Sequence, residues 1–128
     1  MNTKTITALM VEPNEHPKAV QLQTDLDSLQ KAVSIGADYQ GLIELLPLEK
    51  TALLICNEEG KLIGLPGNRH IGRDVIAGVF YVIGSDSRHN FISLTEQQLE
   101  HYKALFWEPE DLSAQDVEHA LFMRFFTV

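Results

Sequence analysis

The stretch Gly64-Leu65-Pro66-Gly67-Asn68-Arg69-His70-Ile71-Gly72-Arg73 gathers the groups best suited to bind an anion. Glycine-rich backbone can expose N–H groups to a phosphate or carboxylate, and arginine can grip either with two parallel bonds. From Lys61 to Arg88 there are four basic residues against two acidic ones, in a chain whose formal charge is −8. Asn68, Arg69, His70 and Arg73 are therefore the candidate ligand-binding residues, for a nucleotide or another phosphorylated small molecule. The competing reading is a loop after a strand. There, Asn and Gly serve the turns and an arginine pairs with a carboxylate such as Asp74. The segment is no P-loop, because Asn68 follows Gly67 and no Gly-Lys-Ser/Thr element occurs.

Other chemistry is thinner. Asn57-Glu58-Glu59 sets two carboxylates side by side, but acid–base work needs unlike environments, and an exposed hairpin tip would give both the same water. The five histidines, His16, His70, His89, His101 and His119, form no His-Glu-x-x-His element. His101 and His119 each follow a glutamate on neighbouring expected helices, a weak metal pattern, and no metal site is assigned. Cys56 ends an apolar run, which favours a buried structural thiol over a nucleophile. Ser85, Ser87 and Ser93 lack a Gly-x-Ser-x-Gly elbow. No catalytic residue is assigned, and no motif asks for a cofactor.

The second candidate surface is acidic. Residues 96–118 hold Glu96, Glu100, Glu108, Glu110, Asp111, Asp116 and Glu118 against Lys103 alone. Spaced carboxylates can enter a basic cleft, even as a mimic of DNA phosphates, or simply face water and favour helix dipoles. Glu96, Glu100, Glu108, Glu110 and Asp111, with Trp107 beside them, are the candidate partner-binding residues. Trp107 is either a partner anchor or a cover for the core.

These groups must be carried by one domain, since the chain has 128 residues and a 45% apolar composition. The acidic balance disfavours direct nucleic-acid binding. A single cysteine excludes an internal disulfide framework and fits a reducing cytoplasm. No apolar run approaches a membrane span.

Ile6 to Val11 reads as a first strand. Leu22, Leu26, Leu29 and Val33 share one face of a helix over 22–35, capped by Thr24 or Asp25 and ended by Gly36. Leu42–Leu46 is a second strand, closed by Pro47. Thr51–Cys56 is a third, apolar on both faces. It returns through a Gly60 turn as a strand over 61–65. Val75–Ile83 is the longest β-like run, with Gly78 marking a bulge or a close contact. Thr95 with Gln98 forms a capping box for one C-terminal helix, and Ser113 with Asp116 a weaker one for the next. Val117, Ala120, Leu121 and Phe125 give that last helix an apolar face. Phe122, Phe125 and Phe126 exceed what one core face needs, which points to a homodimer.

Cys56-Asn57-Glu58-Glu59-Gly60-Lys61, Leu65-Pro66 and Asn68-Arg69 resemble a known family. Ile76-Ala77-Gly78-Val79-Phe80, Val82-Ile83-Gly84 and Phe91-Ile92-Ser93-Leu94-Thr95 extend the likeness. The family is domain of unknown function 3846, small proteins of bacteriophages, plasmids and conjugative elements. The resemblance covers most of residues 6–107 and implies one small cytosolic domain, carried by a mobile element. It implies no activity and no catalytic residue.

The expected architecture is α+β: a mainly antiparallel or mixed sheet of four or five strands, one helix on a face and two C-terminal helices. Residues 6–107 form the core of this single domain, and 108–128 form a helical extension. The expected function is a non-enzymatic accessory protein that binds a protein partner through the acidic helical face. The alternative is a binder of a phosphorylated small molecule through residues 64–73, and a small hydrolase or transferase comes third.

Overall fold

Thr5–Val11 forms β1, and its alternation sends Ile6 and Ala8 to one face and Leu9 and Val11 to the other. The structure is a computed structural model describing the backbone of residues 4–126 and the side chains of residues 4–121. After Pro17 the chain returns as β2 (Lys18–Gln23), antiparallel to β1. Leu22 thus belongs to a strand, and the helix α1 spans only Leu26–Ala32. A spacing of four also fits a strand, and Val20 and Leu22 alternate with polar Gln21 and Gln23. Asp25 then starts α1 by accepting a bond from the Ser28 N–H at 3.0 Å.

β3 (Ile43–Glu49) runs through Pro47 instead of ending there. It is an edge strand, so the missing N–H disturbs the ladder little, and the register shifts between Pro47 and Glu49. β4 (Ala52–Asn57) is buried along most of its length. The expected return strand over 61–65 does not form. Both edges of β4 are already taken, by β3 on one side and by a later strand, β7 (Phe80–Ser85), on the other. Residues 58–64 instead wind through turns, with Leu65 N–H bonded to Gly60 O at 3.0 Å. Gly60 is needed there for space, since a Cβ would stand 2.5 Å from Ala77 O.

β5 (Gly67–Ile71) and β6 (Asp74–Ala77) form a separate hairpin turned by Gly72 and Arg73. Gly72 has φ +59°, the geometry of a two-residue turn that begins with glycine. Gly78, at φ +86°, then breaks the expected 75–83 run, ending β6 and redirecting the chain into β7. β8 (Phe91–Ile92) pairs with the end of β7. The main sheet has the order β2-β1-β7-β4-β3, and the pairings among the described residues are all antiparallel.

Helices cover both faces. α2 (Glu96–Leu105) starts at the expected capping box, with Gln98 N–H on Thr95 Oγ1 at 3.1 Å and Thr95 N–H on Gln98 Oε1 at 3.0 Å. Tyr102 and the following Phe106 pack against Leu9, Val11, Leu54, Phe80 and Val82. On the opposite face, Leu29 and Val33 cover Ile6, Ala8, Ile55 and Tyr81. Tyr81 donates to Ala32 O at 3.1 Å, and burial pushes its hydroxyl up to about 12. α3 (Ala114–Phe126) uses the Ser113–Asp116 box and lays Val117 and Ala120 on Leu65, Val75 and Ala77. Val117 and Ala120 therefore face the core as the sequence suggests. The aromatic excess at Phe122, Phe125 and Phe126 lies outside the described side chains.

Candidate functional site

Asn68 and Arg69 sit on β5 where it passes between the loop after β1 and the end of α2, and both are buried. Asn68 Nδ2 donates to Val11 O at 2.8 Å and Gly78 O at 2.9 Å. Its Oδ1 accepts from Arg69 Nη1 at 2.8 Å. Arg69 Nε donates to Phe106 O at 3.0 Å, and Nη2 donates to Glu15 O at 2.6 Å. One guanidinium thus ties β5 to two distant segments. Its partners are neutral carbonyls. One of them, Phe106 O, caps the C-terminal end of α2, where the helix dipole favours a cation. Burial lowers the pKa of Arg69, and the charge of Glu110 opposes that shift.

His70 points the other way along β5 and is exposed. Its backbone N–H donates to Glu110 Oε2 at 2.9 Å, and its Nδ1 meets Glu110 Oε1. A carboxylate only accepts, so Nδ1 carries the proton in this contact. Burial alone would raise the Glu110 pKa. The bonds from the His70 ring and backbone, with the charges of His70 and Arg69, hold it below the usual value instead. The anion that this glycine-rich segment holds is the chain's own carboxylate. Arg73 stands exposed at the hairpin tip, away from the buried Arg69. Asp74 pairs with Lys61, not with an arginine.

The two surfaces read separately from the sequence meet here. Phe106 O and the Glu110 carboxylate are both bonded to β5, and Trp107 lies between them in the chain. The Trp107 ring stacks on His16 at 4.1 Å between centroids and 12° between planes. His16 Nδ1 donates to Trp107 O at 2.6 Å, and Lys103 Nζ lies 5.8 Å from the indole centroid. Trp107 keeps 40% of its surface exposed and Leu105 keeps 61%. Nothing local in the sequence marks His16, which lies 91 positions from its partner.

The acidic row divides by role. Glu96 and Glu100 are exposed on α2, and Glu108 and Asp111 are exposed in the link to α3. Glu110 is turned inward to His70. Asp116 caps α3, and the bonds from Ser113 lower its pKa. Cys56 is buried, and its thiol lies 3.8 Å from Glu44 Oε1. Beside it, Glu58, Lys61 and Val75 line a small cleft of about 10 Å³, room for little more than one water molecule. The described residues contain no group of three or more His, Cys, Asp or Glu able to hold a metal ion. None of their helices is long and apolar enough to cross a membrane.

A family model described as domain of unknown function (DUF3846) matches residues 6–107. The chain belongs to the DUF3846 family. No curated protein and no solved structure matches it. In this DUF3846 chain the family match ends at Trp107, one residue beyond the carbonyl that Arg69 holds. The linker and α3 lie past that boundary, yet Glu110 and Val117 pack onto β5 and β6.

Proposed function

We propose that this DUF3846 protein works by binding a protein partner through the outer face of α2 and the junction that follows it. The supporting observation is that two large apolar side chains near the end of α2, Leu105 and Trp107, are left exposed, with Glu100 and Glu108 exposed in the same stretch of chain. The indole is stacked on His16, so docking it costs little side-chain entropy. An exposed, pre-positioned tryptophan with an acidic rim suits a partner that offers an apolar pocket edged by Lys or Arg. The segment 64–73 supports this choice indirectly, because the donors of Asn68, Arg69 and His70 serve Val11, Gly78, Phe106, Glu15 and Glu110 of the chain itself.

Site-specific photo-crosslinking tests the reading. A crosslinker at Leu105 should capture a defined partner in cells, and one at the exposed Ser87 should not. Trp107→Ala, and Glu96→Lys with Glu100→Lys, should each lower the Leu105 yield about tenfold, the equivalent of roughly 1.4 kcal/mol. Equal capture from positions 105 and 87 would refute it.

A further inference from the structure

The two edges of the main sheet are unlike. β3 carries Pro47 and a register shift, which blunt an edge against a new strand. β2 carries neither. Its residues pair with β1 in unbroken register from Thr5↔Gln23 to Met10↔Lys18, and Lys18 is its sole charge.

The ladder sets the direction of the β2 backbone groups. Thr24 N–H donates to Lys4 O at 2.9 Å, which makes Lys4 and Thr24 a hydrogen-bonded pair. Along an antiparallel ladder such pairs alternate with pairs whose backbone groups point away. Leu22, Val20 and Lys18 therefore turn N–H and C=O toward β1, and Gln23, Gln21 and Ala19 turn theirs outward. β1 provides a check. Thr7, opposite Gln21, must turn away from β2. Its N–H does donate to Ser93 Oγ at 2.8 Å, and its C=O accepts from Leu94 N–H at 3.0 Å.

We propose that β2 pairs antiparallel with β2 of a second copy of this chain, about a two-fold axis at Gln21. In that register Gln21 faces Gln21 and Ala19 faces Gln23, which brings the outward N–H and C=O groups into hydrogen-bonded positions. Val20 faces Leu22 on the α1 side, so the apolar row of one sheet continues into the next. Lys18 faces Thr24. No like charges meet, a requirement for self-association of a chain with a net charge of −8. This self-fit about one residue favours a second copy over an extended segment of another protein. Contact between two short strands falls below roughly 1,200 Å², the range of weak dimers. The proposal is independent of the α2 surface.

Native mass spectrometry and sedimentation equilibrium of the full chain, over about 1–200 μM, test it. The wild type should form a concentration-dependent dimer. Gln21→Pro removes an N–H that points to solvent in one copy, so the fold should tolerate it. The dimer should weaken about tenfold or more. Gln21→Cys sets two thiols across the axis at roughly 5.5 Å between Cα atoms, within disulfide range. The native Cys56 is buried, so mild oxidation should link copies through position 21. It should do so at least about tenfold faster than through Leu45→Cys on β3. A wild-type monomer throughout, or a dimer unchanged by Gln21→Pro, overturns the proposal. If Gln21→Pro fails to fold, equal crosslinking rates at positions 21 and 45 overturn it instead.

Discussion

Arg69 is a buried cation held by carbonyl dipoles instead of a carboxylate. A side chain that gripped a ligand could be removed with little effect on stability. This one cannot, because Glu15 O, Phe106 O and Asn68 Oδ1 would each lose a donor. Arg69→Ala should therefore destabilise the fold by about 2–4 kcal/mol, since unsatisfied buried acceptors and the vacated volume both count against it. Urea denaturation measures this directly. Arg69→Lys should recover less than half of the loss, because one ammonium group cannot reproduce a planar fork aimed in separate directions. A variant with unchanged denaturation would show that the clamp contributes nothing. The sequence shows Asn68-Arg69 as a chemical pair, but not the direction it faces. That direction depends on Phe106 and Glu15, 37 and 54 residues away.

At the scale of elements, the linker between α2 and α3 is fastened to β5 by Glu110. The Glu110 carboxyl titrates below its ordinary 4.5 in the folded chain. A depressed folded pKa means stability that is fully present above the unfolded value and lost as pH falls through the folded one. Glu110→Gln should therefore cost up to about 1 kcal/mol at neutral pH, a small figure because the side chain is one-third exposed. The difference should shrink between neutral pH and an acid pH below the folded value, where the carboxyl becomes neutral like the glutamine that replaces it. Hydrogen exchange of the α3 amides in both proteins, at the two pH values, checks this. A gap that persists in acid would assign the effect to shape and not to charge. Elements whose limits are set locally were legible in the sequence. The α2 and α3 caps are examples, since each lies within four residues. Elements whose limits depend on distant edges were not. Leu22 fits a helix spacing until β1 claims it, and residues 61–65 look like a return strand until β7 takes the edge of β4.

At the scale of the whole molecule, the described residues form three cores, and these depend unequally on the C-terminal extension. The clusters on the two faces of the main sheet are built from residues up to Phe106. The third, around Leu65, Val75 and Ala77, is covered by Val117 and Ala120 of α3. Deleting residues 108–128 removes that cover and the Glu110 contact, but it leaves Arg69 bonded to Phe106 O and Glu15 O. The shortened chain should therefore keep its sheet and lose stability. Exposing the third core costs on the order of 1.5–3 kcal/mol for each large apolar side chain uncovered. Amides of β5 and β6 should exchange much faster, and those of β1, β4 and β7 should keep most of their protection, because local opening follows the loss of buried contacts. Hydrogen exchange resolved along the chain would separate this outcome from its opposite. Uniform loss of protection across β1, β4 and β7 would mean that α3 supports the whole fold, and that the boundary at Trp107 divides the sequence but not the structure.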